Sequence, residues 1–119
     1  ADLRPLVEAL GYTLHVLQTP LDILHFKTES SLLDESTVLA TPALAASGAF
    51  YGMTVIETAA GEDAAANAIR VNDFVFLSAG YPNTAKRLED AGYTSKILST
   101  SQAALVDGGL SCMSLRYSL

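Results

Sequence analysis

The chain has 119 residues, half of them hydrophobic, and carries thirteen acids against seven bases for a net charge of −6. That length supports one small core and a single domain. The charge excludes a nucleic-acid partner, since no basic run is present to track phosphates, and an acidic field suits a cationic small molecule. No apolar run approaches the ~18 residues that a membrane span needs.

Ala1-Asp2-Leu3-Arg4-Pro5 is not a signal peptide. With no initiator Met, the chain is expected to start inside a longer protein. One cysteine without a partner points to a reducing compartment, and a cytoplasmic location is expected.

Leu6 to Thr19 reads as a helix end, a glycine cap at Gly11 and a strand from Tyr12. His15 alternates with Leu14 and Val16 there, which turns it to solvent and gives it a structural reading. His25 closes the apolar run Leu21–Leu24 and precedes a strand. A histidine at such a junction suits a general base, and equally a hydrogen-bonded structural role.

Two strand pairs come next. One is Ser31–Leu33 and Thr37–Ala40 around Asp34-Glu35-Ser36; the other is Ala68–Val71 and Phe74–Leu77 around Asn72-Asp73. Each leads into a helix with an early proline, Pro42 or Pro82, where the missing N–H costs nothing. After each helix the opening pattern returns. Gly92-Tyr93-Thr94 repeats Gly11-Tyr12-Thr13, and Tyr51-Gly52-Met53-Thr54 is a shorter copy. Glycine suits the left-handed position that ends a helix, and the β-branched run after it suits a strand.

The chain therefore reads αβ, ββαβ, ββαβ and a last strand at Met113–Tyr117. A mixed repeat of about 40 residues marks an array or propeller-like α/β (α+β) fold. The alternative is an ordinary α+β domain. Residues 1–19 are the tail of one unit, 30–58 and 67–100 are whole units, and 106–119 is a closing strand.

Chemistry concentrates near the C-terminus. Cys112 follows Asp107-Gly108-Gly109-Leu110-Ser111. A lone cysteine is either a small buried apolar residue or a reactive thiol. The paired glycines favour the thiol, because glycine permits close backbone approach or positive φ. One cysteine and two scattered histidines cannot build a structural zinc site. Asn67, after the acidic turn Gly61-Glu62-Asp63, reads as a turn or capping residue. Ala79–Thr84 reads as architectural, and neither run carries a phosphate-binding glycine pattern.

Leu24-His25-Phe26-Lys27-Thr28, Ala65-Ala66-Asn67, Pro82 and Asp107-Gly108-Gly109-Leu110-Ser111-Cys112-Met113-Ser114-Leu115-Arg116 occur together and in this order. In this the chain resembles bacterial dimethylarginine dimethylaminohydrolases. These belong to the guanidino-group-modifying (pentein) superfamily, with arginine deiminases and amidinotransferases. The resemblance implies a propeller of five ββαβ units, of which this chain holds roughly two and a half, from the C-terminal half.

It further implies that Cys112 is the nucleophile and His25 the general acid/base. The Val106 backbone carbonyl would contact the guanidinium, and Asp107, Gly108 and Gly109 would present the thiol. The substrate is a cationic guanidino compound, N-omega,N-omega-dimethylarginine, hydrolysed to citrulline and dimethylamine. No cofactor and no structural metal are expected, and zinc at Cys112 would be incidental.

The family's guanidinium-binding carboxylates and substrate-holding arginines have no counterpart here. The chain alone is expected to be inactive, and to pair with an N-terminal half of the propeller or with itself. A sister activity, arginine deiminase or amidinotransferase, or an inactive assembly module, is the alternative.

Overall fold

A computed structural model describes residues 2–116. The chain opens with helix α1 (Arg4–Ala9) and an irregular stretch to a single 3₁₀ turn at Phe26–Thr28. Strands β1 (Ser30–Leu32) and β2 (Thr37–Ala40) then pair antiparallel, Ser31 facing Leu39. Helix α2 (Pro42–Ala45) carries the chain over to β3 (Thr54–Glu57), which lies parallel to β2. A second unit repeats the order: β4 (Ile69–Val71) and β5 (Phe74–Ser78) antiparallel, helix α3 (Pro82–Asp90), then β6 (Thr94–Leu98) parallel to β5. The sheet orders are β1-β2-β3 and β4-β5-β6, two ββαβ units as the repeat predicts. Parallel neighbours need a crossover, and the proline-led helices supply it.

The local stops agree with the sequence. Gly92 has φ +94° and its N–H donates to the Glu89 carbonyl at 2.9 Å, while the Tyr93 N–H donates to Leu88 at 2.9 Å. Gly11 has φ +81° and makes the same pair of bonds to Glu8 and Val7. Both are left-handed helix ends that only glycine adopts without strain.

The segment after Gly11 departs from expectation. No strand forms over Tyr12–Thr19, which pairs with no strand among the described residues. His15 is exposed as expected, though not on a strand. Gly52 takes φ +82° but closes a turn rather than a helix, since α2 ends at Ala45. The closing strand expected at Met113–Tyr117 is also absent over its described part. There the amides of Met113 and Ser114 bond locally, to Gly109 and Ser111, and Tyr117 lies outside the described residues.

The core sits between the two sheets and α3. Leu33, Leu39, Val75, Leu77 and Leu88 are buried together with Ala65 and Ala68. Val75 and Leu77 alternate with the more exposed Phe74 and Phe76, the period of a strand with one buried face. Polar ties close the seam between units, and Arg70 and Arg87 add bonds to the Leu33 and Glu57 carbonyls. Tyr93 donates its hydroxyl to the Asp34 carboxylate. That bond, with the Ser36 amide, holds the Asp34 carboxyl well below the usual range. The Ala59 N–H donates to Thr84 Oγ1 at 2.9 Å. Ser31 Oγ donates to the Ala66 carbonyl and accepts the Ala68 N–H at 2.8 Å.

The two proline-led helices are capped differently. Thr41 caps α2 through its own hydroxyl, which accepts the Leu44 N–H. Tyr81 gives α3 no side-chain cap. Glu62 supplies it from outside, accepting the Thr84 N–H at 2.6 Å and the Asn83 N–H at 3.2 Å. A carboxylate there satisfies orphan donors and meets the positive end of the helix dipole.

Burial pushes the Glu62 carboxyl up, but the bonds from Thr84 and Asn83 outweigh it and hold it below the ordinary glutamate range. A depressed folded pKa stabilises above the unfolded value and is lost as pH falls through the folded one. Glu62→Gln is therefore expected to lower the melting temperature at pH 7. The gap to the native chain should close as pH falls below the ordinary glutamate value of about 4.3 and through the depressed folded one. Thermal melts across that range check it, and a gap independent of pH would assign the cap to shape rather than charge.

Candidate active site

Two loops far apart in sequence form the site. The first begins at buried Ile23 and runs into the 3₁₀ turn. His25 stands just before that turn with extended backbone, φ −132° and ψ 119°. Its carbonyl accepts the Thr28 N–H at 3.1 Å and the Thr28 hydroxyl at 2.6 Å. These bonds fix the histidine backbone from downstream while the side chain stays exposed. Phe26 packs on Phe50 with ring centroids 5.5 Å apart, seating the loop on the first unit.

The second loop leaves helix α4 (Ser101–Ala104), an element the sequence reading did not anticipate. The Gly108 N–H donates to Ala103 at 2.8 Å and the Asp107 N–H to Ala104 at 3.2 Å. This is the same helix stop as at Gly11 and Gly92, but Asp107 occupies the left-handed position, with φ +55°. Short polar side chains tolerate that region better than most. The glycines serve close approach instead. A Cβ on Gly108 would lie 3.1 Å from the Ala103 carbonyl oxygen, and one on Gly109 would lie 2.1 Å from Asn67 Nδ2. Leu110 is buried and anchors the loop, so that Ser111 and Cys112 face outward.

The loops meet in an open cleft of about 840 Å³ whose walls include His25, Lys27, Asp107, Ser111 and Cys112. Ser111 Oγ donates to the Lys27 carbonyl at 3.3 Å and ties the two loops. The structure thus brings His25 and Cys112 to one cleft. It leaves His15 outside it, and Val106 is an exposed residue beside the wall rather than part of it. Among the described residues, Asp107 is the one carboxylate lining the cleft. No group of three or more metal-ligating side chains occurs among the described residues.

Asn67 is the residue that sequence reasoning underrated. Its Oδ1 accepts the Ser111 N–H at 2.9 Å and its Nδ2 donates to Cys112 Sγ at 3.4 Å. The available signal was composition: Asn67 is the one polar side chain in Ala64–Ala68. A buried amide among alanines needs partners. The Asn67 amide is the main influence lowering the Cys112 thiol from its ordinary value. The Gly109 N–H, the Ser111 hydroxyl and the Lys27 charge act the same way, against the opposing effect of burial. The chemistry available is a thiol lowered from its ordinary value, exposed in the same cleft as an imidazole.

No protein-family model matches the chain. Its sequence is 38% identical over 95 residues to the N(G),N(G)-dimethylarginine dimethylaminohydrolase of Pseudomonas aeruginosa, covering 80% of this chain and 37% of that protein. A solved structure of the Pseudomonas aeruginosa enzyme, a cysteine-to-serine variant complexed with citrulline, superposes with TM-score 0.88 at 33% identity. It covers 97% of this chain and 45% of that one. A dimethylarginine dimethylaminohydrolase in which a histidine is replaced by glycine, as an adduct with S-methyl-L-thiocitrulline, gives TM-score 0.89 with the same identity and coverage.

The chain has a pentein fold of the dimethylarginine dimethylaminohydrolase kind. An amidinotransferase from Microseira wollei shares that fold, with TM-score 0.76 at 16% identity over 98% of this chain and 39% of its own. This dimethylarginine dimethylaminohydrolase-like chain spans less than half the length of each of these relatives.

Gly109 sets the distance between the cysteine loop and Asn67. Gly109→Ala must displace the Asn67 amide, whose Cγ would stand 2.4 Å from the new Cβ. The expected cost is about 1–3 kcal/mol of stability, typical of overpacking a closed site. Gly108→Ala meets its nearest atom at 3.1 Å and is expected to cost less. Denaturant titrations of the two variants rank them, and the reverse order would contradict this account of the glycines.

Proposed function

We propose that this chain carries the nucleophile and the general acid/base of a hydrolase that converts N-omega,N-omega-dimethylarginine to citrulline and dimethylamine. The observation that carries the reading is the shared cleft of His25 and Cys112, with the thiol held towards its thiolate. The relatives support it. One was captured with citrulline in a variant lacking a cysteine, and another as a thiocitrulline adduct in a variant lacking a histidine. This chain has one cysteine, and of its two histidines only His25 lines the cleft.

The steps are set by the charges. The guanidinium carbon is a weak electrophile because its positive charge is delocalised, so the attacking group must be an anion. The Cys112 thiolate adds to that carbon and the C–N π electrons move onto nitrogen. Protonated His25 gives its proton to the departing dimethylamine as the C–N bond breaks, leaving an S-alkylthiouronium on Cys112. Neutral His25 then takes a proton from water, and the hydroxide equivalent adds to the same carbon. Collapse of that adduct expels the thiolate, and loss of the hydroxyl proton to solvent leaves the citrulline ureido group.

The chain is one part of the site in this reading. A guanidinium needs carboxylates around it, and Asp107 is the one carboxylate that lines the cleft among the described residues. The remaining propeller units would supply the others. They would also cover the apolar side chains of α1, which buries none of its residues and exposes Leu6 and Leu10. The lone unpaired thiol fits a reducing compartment such as the cytoplasm.

In the complete enzyme, Cys112→Ser is expected to abolish citrulline formation from dimethylarginine. His25→Ala is expected to lower kcat by about 10²–10⁴-fold, the usual contribution of a general acid/base. A colorimetric citrulline assay reads both, and turnover retained by Cys112→Ser would overturn the assignment. The 119-residue chain alone is expected to form no citrulline.

A further inference from the structure

We propose that Asn67 is the positioning residue of the nucleophile: one end of its amide clamps the cysteine loop while the other donates a hydrogen bond to sulfur. This rests on the reading of Cys112 as the nucleophile. The amide's orientation is dictated by its partners. The Ser111 N–H is a donor and must face Oδ1, 2.9 Å away, which leaves Nδ2 facing Cys112 Sγ at 3.4 Å. A flipped amide would set donor against donor.

The amide stands on rigid ground. Asn67 is buried, between a 3₁₀ turn at Asp63–Ala66 and β4. Its own N–H donates to Ala64 at 3.3 Å. Ser31 brackets it from the neighbouring unit, donating to the Ala66 carbonyl and accepting the Ala68 N–H. On the far side Gly109 leaves no room for retreat, since even one methyl there would overlap the amide. Asn67 is therefore held through its backbone neighbours by β1's serine and through its side chain by the cysteine loop.

The donor matters because of what it faces. A neutral thiol is a weak acceptor and a thiolate a strong one, so an N–H aimed at sulfur favours the ionised form. The same bond holds the sulfur in a single orientation towards the cleft. Asn67 need not touch substrate to do this.

Two variants separate the clamp from the donor. Asn67→Asp keeps an oxygen for the Ser111 N–H but turns an anionic acceptor towards sulfur. Asn67→Ala removes both bonds. The readout is the pH dependence of Cys112 alkylation by iodoacetamide in the 119-residue chain, with circular dichroism to check the fold. Asn67→Ala is expected to raise the midpoint by about one pH unit, near tenfold slower alkylation at pH 7, and Asn67→Asp by more. If the amide donates nothing to sulfur, a folded Asn67→Ala keeps the native midpoint, and that result would overturn the proposal.

A measurement on the native chain covers the case in which the variants fail to fold. The Asn67 side-chain amide resonances should titrate with the midpoint of Cys112 alkylation, and signals that stay still would overturn it as well. Neither experiment involves turnover. A failure of the dimethylarginine reading would therefore appear in the citrulline assay and leave these results standing.

Discussion

The arrangement depends on the buried backbone between Ala66 and Ala68. This segment leaves a 3₁₀ turn and enters a strand, and the Ala66 carbonyl and the Ala68 N–H find their partner outside both elements. Ser31, from the other ββαβ unit, satisfies two of them with one hydroxyl. A buried carbonyl or amide left without a partner costs about 1–3 kcal/mol, a large share of a small domain's stability. The units are thus joined by a contact that neither could dispense with. The same contact fixes the one side chain between the two bracketed groups, Asn67, and through it the cysteine loop. Packing of the two sheets and placement of the thiol are a single structural fact.

The sequence made the repeating parts legible because their causes are local. Proline at a first helical turn, an asparagine with φ +52° in the two-residue turn at Asn72-Asp73, and glycine at a left-handed stop each depend on a few adjacent residues. So the hairpins, the helices opened by Pro42 and Pro82, and the matching ends at Gly11 and Gly92 could be read directly. Strands are different, since a strand exists only through its ladder. Tyr12–Thr19 repeats the pattern of Tyr93–Thr100, but among the described residues it has no neighbour to pair with. The loop at Met113 likewise turns on itself.

The site divides the same way. Its chemically unusual residues, Cys112 with its glycines and His25 at a strand entrance, stood out by type. Asn67 did not, because an asparagine between a turn and a strand has an adequate local explanation. Its partners are 44 and 45 residues away, and only the packing of the units reveals them. The glycines were legible as a pair, and of the two roles open to them close approach is the one they serve. The positive φ falls on Asp107, and Gly109 is small because an amide presses against it.

The means of lowering the thiol pKa also bears on how well the sulfur attacks. A thiolate loses nucleophilicity as its pKa falls, with a Brønsted slope of about 0.4–0.5, so the best attacking thiol has a pKa near the ambient pH. A buried cation against sulfur would overshoot that optimum. Here the leading influences are dipoles, the Asn67 amide and the Gly109 N–H, and the Lys27 charge comes last. Dipoles stabilise the anion without neutralising it and leave the sulfur electron-rich. Under the proposed function, an arriving guanidinium would supply the remaining positive charge where the attack occurs. In the proposed reaction such a neutral amide would suit a cationic substrate: it lowers the thiol pKa without a full charge and would leave the rest of the stabilisation to the molecule under attack.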